Sequence, residues 1–146
     1  MEESLILQDY LDQLFQVTEK DYTQYSPLAL AFIGDGVYDL VIRTVMIKKG
    51  NRQAVKIHRD TTELVKAGTQ AKMIAALLPH LTSEETAVYR RGHNAKPYNT
   101  AKNASREEYL EATGFEALMG YLYLQRQDKR MLDLVALALK EIGYEG

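Results

Sequence analysis

The chain has 146 residues, 46% hydrophobic and 26% charged, with no cysteine and a formal net charge of −2. That is room for one domain with a buried core, and it excludes a disulfide framework, thiolate metal sites and a cysteine nucleophile. No apolar run approaches the roughly 18 residues of a membrane span, the acidic start MEESLILQDYLDQLF is that of neither a secretory signal nor a transit peptide, and the weak net charge leaves any nucleic-acid surface to local clustering.

Nearly every segment reads with helical period. Leu7, Leu11, Leu14 and Phe15 lie on one side of a first helix over 5–17. After the polar DYTQY, Ser26 and Pro27 offer an N-cap and a favoured first-turn proline for a helix to about Lys49, stopped at Gly50–Asn51. A third helix is expected over 53–66, ending at Gly68, and a fourth through TQAKMIAALLPHL to about Leu78. Thr82 and Glu85 form a capping box for a fifth. RRGHNAKPYNTAKNAS has no apolar period and reads as a loop. Ser105 and Glu108 form a second capping box, for a helix reaching about Gln125, and Asp128 opens a last amphipathic helix carrying Leu132, Val135, Leu139 and Ile142. No β-alternation, repeat or interdomain linker interrupts this. The fold class is all-α, a single domain of six or seven helices over 26–146 with an N-terminal helical extension over 1–25.

Two carboxylates stand in apolar helices. Asp35 lies within FIGDGVYDL, where Phe32, Ile33, Val37 and Leu40 spread around the helix and predict burial on most sides. Glu116 lies within TGFEALMGYLYL, beside the stripe Phe115, Leu118, Met119 and Leu122. Burying an ionised carboxylate costs several kcal/mol unless it is paired or binds a metal. Gly36 and Gly120 would let the two helices cross closely and bring Asp35 to Glu116. Asp39, one turn on, shares the face of Asp35. One or two carboxylates with water and phosphate describe a Mg2+ site, and such an ion activates water for phosphodiester cleavage. The bland alternative is that each carboxylate sits at an amphipathic edge or in an ion pair, Arg43 being the candidate partner of Asp35.

FIGDGVYDL resembles the signature helix of the ribonuclease III family, and TGFEALMGYLYL resembles that family's second acidic helix, in the same order and at a similar separation. RRGHNAKPYNTAKN resembles the basic loop of the small branch, Mini-ribonuclease III, a catalytic domain without a double-stranded-RNA-binding domain. The resemblance implies a ribonuclease III-type fold with Asp35 and Glu116 as metal-binding catalytic residues and Asp39 as a ligand through water. It implies a homodimer with one centre per subunit, and maturation of large-subunit (23S) ribosomal RNA precursor in the bacterial cytoplasm. Whether a ribosomal protein presents the substrate stays open. The departures are Ala31 and Thr113, where larger family members carry two further carboxylates, Gly36 where alanine is usual, and His93 where a second arginine is common.

Arg90, Arg91, His93, Asn94, Lys96 and Lys102 cluster with no acid among them. Such a set neutralises phosphates without reading sequence and suits duplex RNA, which is recognised by shape, phosphate and 2′-hydroxyl contacts. The expected activity is Mg2+-dependent cleavage of double-stranded RNA. The competing reading is a non-catalytic RNA-binding scaffold that kept the fold. A pyrophosphohydrolase would need paired E-x-x-E or E-x-x-D sets, which the two apolar helices lack.

Overall fold

In a computed structural model, residues 2–18, 21–95 and 105–144 are described. They form seven α-helices and two short 3-10 turns, and no strand occurs among them. The helices are α1 (Glu2–Phe15), α2 (Pro27–Lys48), α3 (Ala54–Val65), α4 (Ala67–Leu77), α5 (Ser83–His93), α6 (Arg106–Leu124) and α7 (Asp128–Glu141). The all-α expectation holds, and so do the starts set by local chemistry. Ser26 accepts from the Ala29 backbone N–H with Pro27 in the first turn. Thr82 with Glu85, and Ser105 with Glu108, each close a reciprocal capping box.

The centre of the molecule is α6, with α2, α4 and α5 packed around it. Every residue from Ala112 to Leu122 is buried except Glu116. Tyr38, Ile42, Met73, Ile74, Leu77, Phe115 and Leu118 are among the side chains that fill the core, and Tyr38 meets Phe115 edge-on at 5.1 Å.

Three expectations are corrected, and the setting of α1 is new. Gly68 does not end α3: the break falls at Lys66, whose extended backbone (ψ 157°) is at once the end of α3 and the start of α4, leaving Gly68 in the first turn of α4. Arg90, Arg91, Gly92 and His93 are helical: α5 runs on to a C-cap at Asn94, whose backbone N–H closes onto the Arg90 and Gly92 carbonyls. α2 is not buried on most sides: Leu30, Ala31, Gly34, Val37, Tyr38, Ile42 and Met46 form one buried stripe, while Phe32 (82% exposed) and Leu40 (64%) face outward. The apolar residues of α1 (Leu7, Leu11, Leu14 and Phe15) are exposed, since α1 is tied to the domain by polar contacts. Gln8 donates to the Tyr123 carbonyl (2.7 Å), and Arg126 pairs with Asp9 (2.7 Å).

Candidate active site

The site begins with two glycines. A Cβ on Gly34 would land on the backbone carbonyl of Glu116 and lie 2.7 Å from the Gly120 nitrogen. A Cβ on Gly120 would land on the Leu30 carbonyl and lie 2.9 Å from Ile33 Cγ2. So α2 and α6 cross backbone on backbone, as expected, but the α2 glycine that permits it is Gly34. A Cβ on Gly36 would meet nothing within 4 Å, because two residues along a helix turn a side chain about 200° away.

The neighbour of Gly34 is thereby carried to the rim of the crossing. Asp35 is exposed and Glu116 is half-buried, the single interruption in the buried run of α6. The expectation of two core carboxylates is corrected for Asp35: Gly34 occupies the packed position, and Asp35 stands about 100° round from it. The two carboxyl groups adjoin each other. Burial first, then the charge of Asp35 and the hydrogen bond to it, push the Glu116 carboxyl from 4.5 up to about 8. Without a cation, the pair holds a proton between two acids at neutral pH.

Gln70 moderates this. Its side chain, on α4, is 1% exposed; the amide nitrogen donates to the Val65 carbonyl (2.9 Å). The nearby amide acts on Glu116 in the opposite sense to burial and lowers its pKa. The sequence reading missed Gln70. The available signal was its place on the apolar face of α4, three, four and seven residues before Met73, Ile74 and Leu77.

The donor set is small. Ala31 is buried in the core, and Thr113 is buried with its hydroxyl donating to the Tyr109 carbonyl (2.9 Å), so neither adds a ligand. No group of three or more His, Cys, Asp or Glu suited to a metal occurs among the described residues. Two adjoining carboxylates at a solvent-facing rim fit an oxygen-seeking divalent ion that keeps most of its shell as water and substrate phosphate. Asp39, half-buried, forms an ion pair with Arg43 (2.7 Å), so Arg43 serves Asp39 rather than Asp35.

Arg90, Arg91 and His93 lie in the last turn of α5, where positive charge also complements the helix dipole. Both arginines and Asn94 are exposed. His93 is half-buried, with Nε2 2.8 Å from Glu107 and Nδ1 3.0 Å from the Asn94 side-chain oxygen. Lys96 and Lys102 lie outside the described residues.

A model of the ribonuclease III domain matches residues 28–127. Mini-ribonuclease 3 of Clostridium tetani is 42% identical over 125 residues, covering 85% of this chain and 83% of that protein. The Enterococcus faecalis protein of that name is 42% identical over 126 residues (85% and 96%), and the Thermoanaerobacter one 38% over 142 residues (97% and 99%). A Fusobacterium nucleatum protein solved by crystallography superposes with a TM-score of 0.75 at 27% identity, covering 84% of this chain and 98% of that one.

Proposed function

The chain belongs to the ribonuclease III domain family, in its Mini-ribonuclease 3 branch, and is an endoribonuclease; we propose that it cuts double-stranded RNA with Mg2+ held by Asp35 and Glu116. The observation that carries this is the contact between those two carboxyls at the rim of the α2–α6 crossing. When bound, a divalent cation offsets charge at the scissile phosphate and activates the attacking water. Glu116, fixed in the packed helix, and Asp35, open to solvent, together give up their shared proton to hold it. Asp39, tied to Arg43, reaches the centre only through water. Arg90, Arg91, His93 and Asn94, with Lys96 and Lys102, hold the RNA backbone.

Two strands require two centres. The outer face of α2 supports a homodimer. Phe32 and Leu40 are exposed there, and a groove of about 410 Å³ beside them is lined by Ile33, Gly36, Leu40, Tyr123, Met131 and Leu132. An apolar face of this kind on the helix that carries Asp35 fits a second copy. The cellular substrate in this reading is large-subunit (23S) ribosomal RNA precursor in the cytoplasm. Comparing naked precursor with precursor loaded with ribosomal proteins tests whether one of them presents it.

A non-catalytic scaffold fits the site less well, because it could replace Glu116 by glutamine at no cost in binding. The test is incubation of the protein with a long duplex RNA in Mg2+ or in EDTA, beside Asp35→Asn. Cutting that needs Mg2+ and vanishes in the variant supports the reading. A folded, dimeric protein that binds duplex and precursor but cuts neither overturns it.

A further inference from the structure

α1 is amphipathic with its sides reversed. The inward side is polar: Gln8 is buried and donates to the Tyr123 carbonyl (2.7 Å), and Asp9 and Asp12 meet Arg126 at 2.7 and 3.5 Å. The outward side is apolar. Leu7, Leu11 and Leu14 fall within about 60° of one another around the helix and are 60%, 41% and 59% exposed. Among the described residues no other helix packs closely along α1. A helix ordinarily turns its apolar stripe to a core, and a continuous exposed stripe marks a contact surface. Leu7 also lines the groove of about 410 Å³ that Gly36 and Leu40 of α2 and Leu132 of α7 line. The stripe of α1 thus carries one wall of that groove onward, with Leu14 about 10 Å beyond Leu7 along the helix. The outer strip of α2 outruns the groove as well. Phe32, Gly36, Leu40 and Ile47 share one side of α2 over about 22 Å, and Ile47, outside the groove, is 61% exposed.

We propose that α1 is an arm of the homodimer: a second copy seated on the outer face of α2 also covers Leu7, Leu11 and Leu14. This rests on the reading of that α2 face as the dimer contact. Two features single out a second copy as the occupant. The apolar wall is continuous from the groove onto α1, so a copy in the groove meets Leu7. In a two-fold contact every surface occurs twice, so the copy whose α1 stripe needs a cover also brings an α2 strip that the groove leaves uncovered at Ile47. α1 lies ahead of the stretch that matches the ribonuclease III domain, so the arm is a feature outside that domain.

The chain has no cysteine, so a single introduced one can carry a dye. Leu14→Cys and Gln13→Cys are each labelled with a polarity-sensitive fluorophore; Gln13 is exposed and stands about 100° round from Leu14. Emission is followed from dilute to concentrated protein, beside sedimentation of unlabelled wild type and of Leu11→Glu/Leu14→Glu. The Leu14 dye should shift to the blue with the midpoint of dimerisation, and the Gln13 dye much less. The double variant should raise the Kd of the dimer at least about tenfold. Both leucines are exposed in the single chain, so the variant should keep its fold, which circular dichroism at low concentration checks. A wild-type dimer in which the Leu14 dye keeps its dilute spectrum, and which the double variant forms as tightly, overturns the arm and leaves the α2 contact standing. A Leu14 dye already shifted in the dilute monomer means that α1 turns its stripe onto its own domain, and overturns the arm too. Wild type that stays monomeric at every concentration overturns the dimer and the arm together.

Discussion

The two regions proposed to cut RNA and to hold it are built in opposite ways. At the α2–α6 crossing the backbones touch, the surrounding side chains are apolar, and one carboxyl is pinned in an otherwise buried run. At the end of α5 the proposed RNA-holding groups are cations in the last helix turn, with both arginines exposed. The first region sets the positions of two charges that repel each other, which only a rigid frame can do. The second, in its proposed role, would supply charge to a polyanion, for which replaceable and loosely held groups suffice. Change should therefore be tolerated very differently in the two.

The sharpest break in that comparison uses two glycines of one helix. Gly34→Ala drives a Cβ into the Glu116 carbonyl, which is backbone and cannot swing aside. A loss of about 3 kcal/mol or more, a large share of the total stability of a domain, is expected. Gly36→Ala, two residues on, meets open space. It should gain about 0.5–1 kcal/mol from helix propensity, provided the face it points to stays free. Urea unfolding of the monomer measures both. A mild Gly34→Ala would mean that the helices are not locked at this crossing. A destabilising Gly36→Ala in the assembled protein alone would place a second copy against that face.

That pair also marks the limit of what the sequence discloses. The caps at Ser26, Thr82 and Ser105 were legible because each bonds within three residues of itself. The all-α class was legible from period alone. Asp35 and Glu116 stood out as acids in apolar helices, and the structure does bring them together. Which glycine of Gly34-Asp35-Gly36 faces α6 was not legible, because apolar residues surround α2 on both sides and its outer face resembles a core face. Gln70 was hidden for a related reason: a single polar residue in an apolar stripe gains meaning only when the helix opposite it is known. Arg43, a candidate partner of Asp35 by spacing, goes to Asp39 instead, because Asp39 lies one turn away and Asp35 two.

The strain at the centre can be read through pH. Glu116 has its folded pKa raised from 4.5 to about 8, so between those values the folded protein binds a proton that the unfolded chain does not. Metal-free protein must therefore lose stability as pH rises across that window. His93, whose pKa is also raised by Glu107 and Asn94, loses its own contribution as pH climbs above its ordinary 6.5, so the wild-type profile mixes the two. Glu116→Gln isolates the first. It should be more stable than wild type at pH 8 by a margin on the order of 1–3 kcal/mol, closing to nearly nothing at pH 4.5. Thermal unfolding in EDTA at the two pH values is the measurement. A margin independent of pH would show that the raised acid is not Glu116.

The α5 arginines should respond far more gently. Arg90 and Arg91 are exposed, so their alanine variants should fold normally and lose at most about 1 kcal/mol from the helix end. Each should weaken duplex binding and lower the slope of log K against log salt by about one if it contacts one phosphate. kcat at saturating RNA should hold. A loss of kcat with unchanged KM would move that arginine from the RNA grip to the centre.

The smallest effect joins the two regions. His93 at the end of α5 meets Glu107, in the first turn of α6, at 2.8 Å, and the Asn94 side-chain oxygen at 3.0 Å. Both ring nitrogens face acceptors, which only the imidazolium can serve as a double donor; hence the raised pKa. The stability this clasp adds is complete below the ordinary His value of 6.5 and disappears as pH rises through the higher folded value. With Glu107 65% exposed, it is a weak surface pair, worth well under about 1 kcal/mol. Glu107→Gln should therefore shift the His93 titration, followed by NMR, down toward 6.5 while leaving Tm almost unmoved. It should also make RNA binding more sensitive to pH near neutrality, because His93 would then lose its charge beside Arg90 and Arg91 at a lower pH. An unshifted His93 titration in Glu107→Gln would mean that the clasp does not set its charge, and that α5 meets the RNA with its two arginines alone.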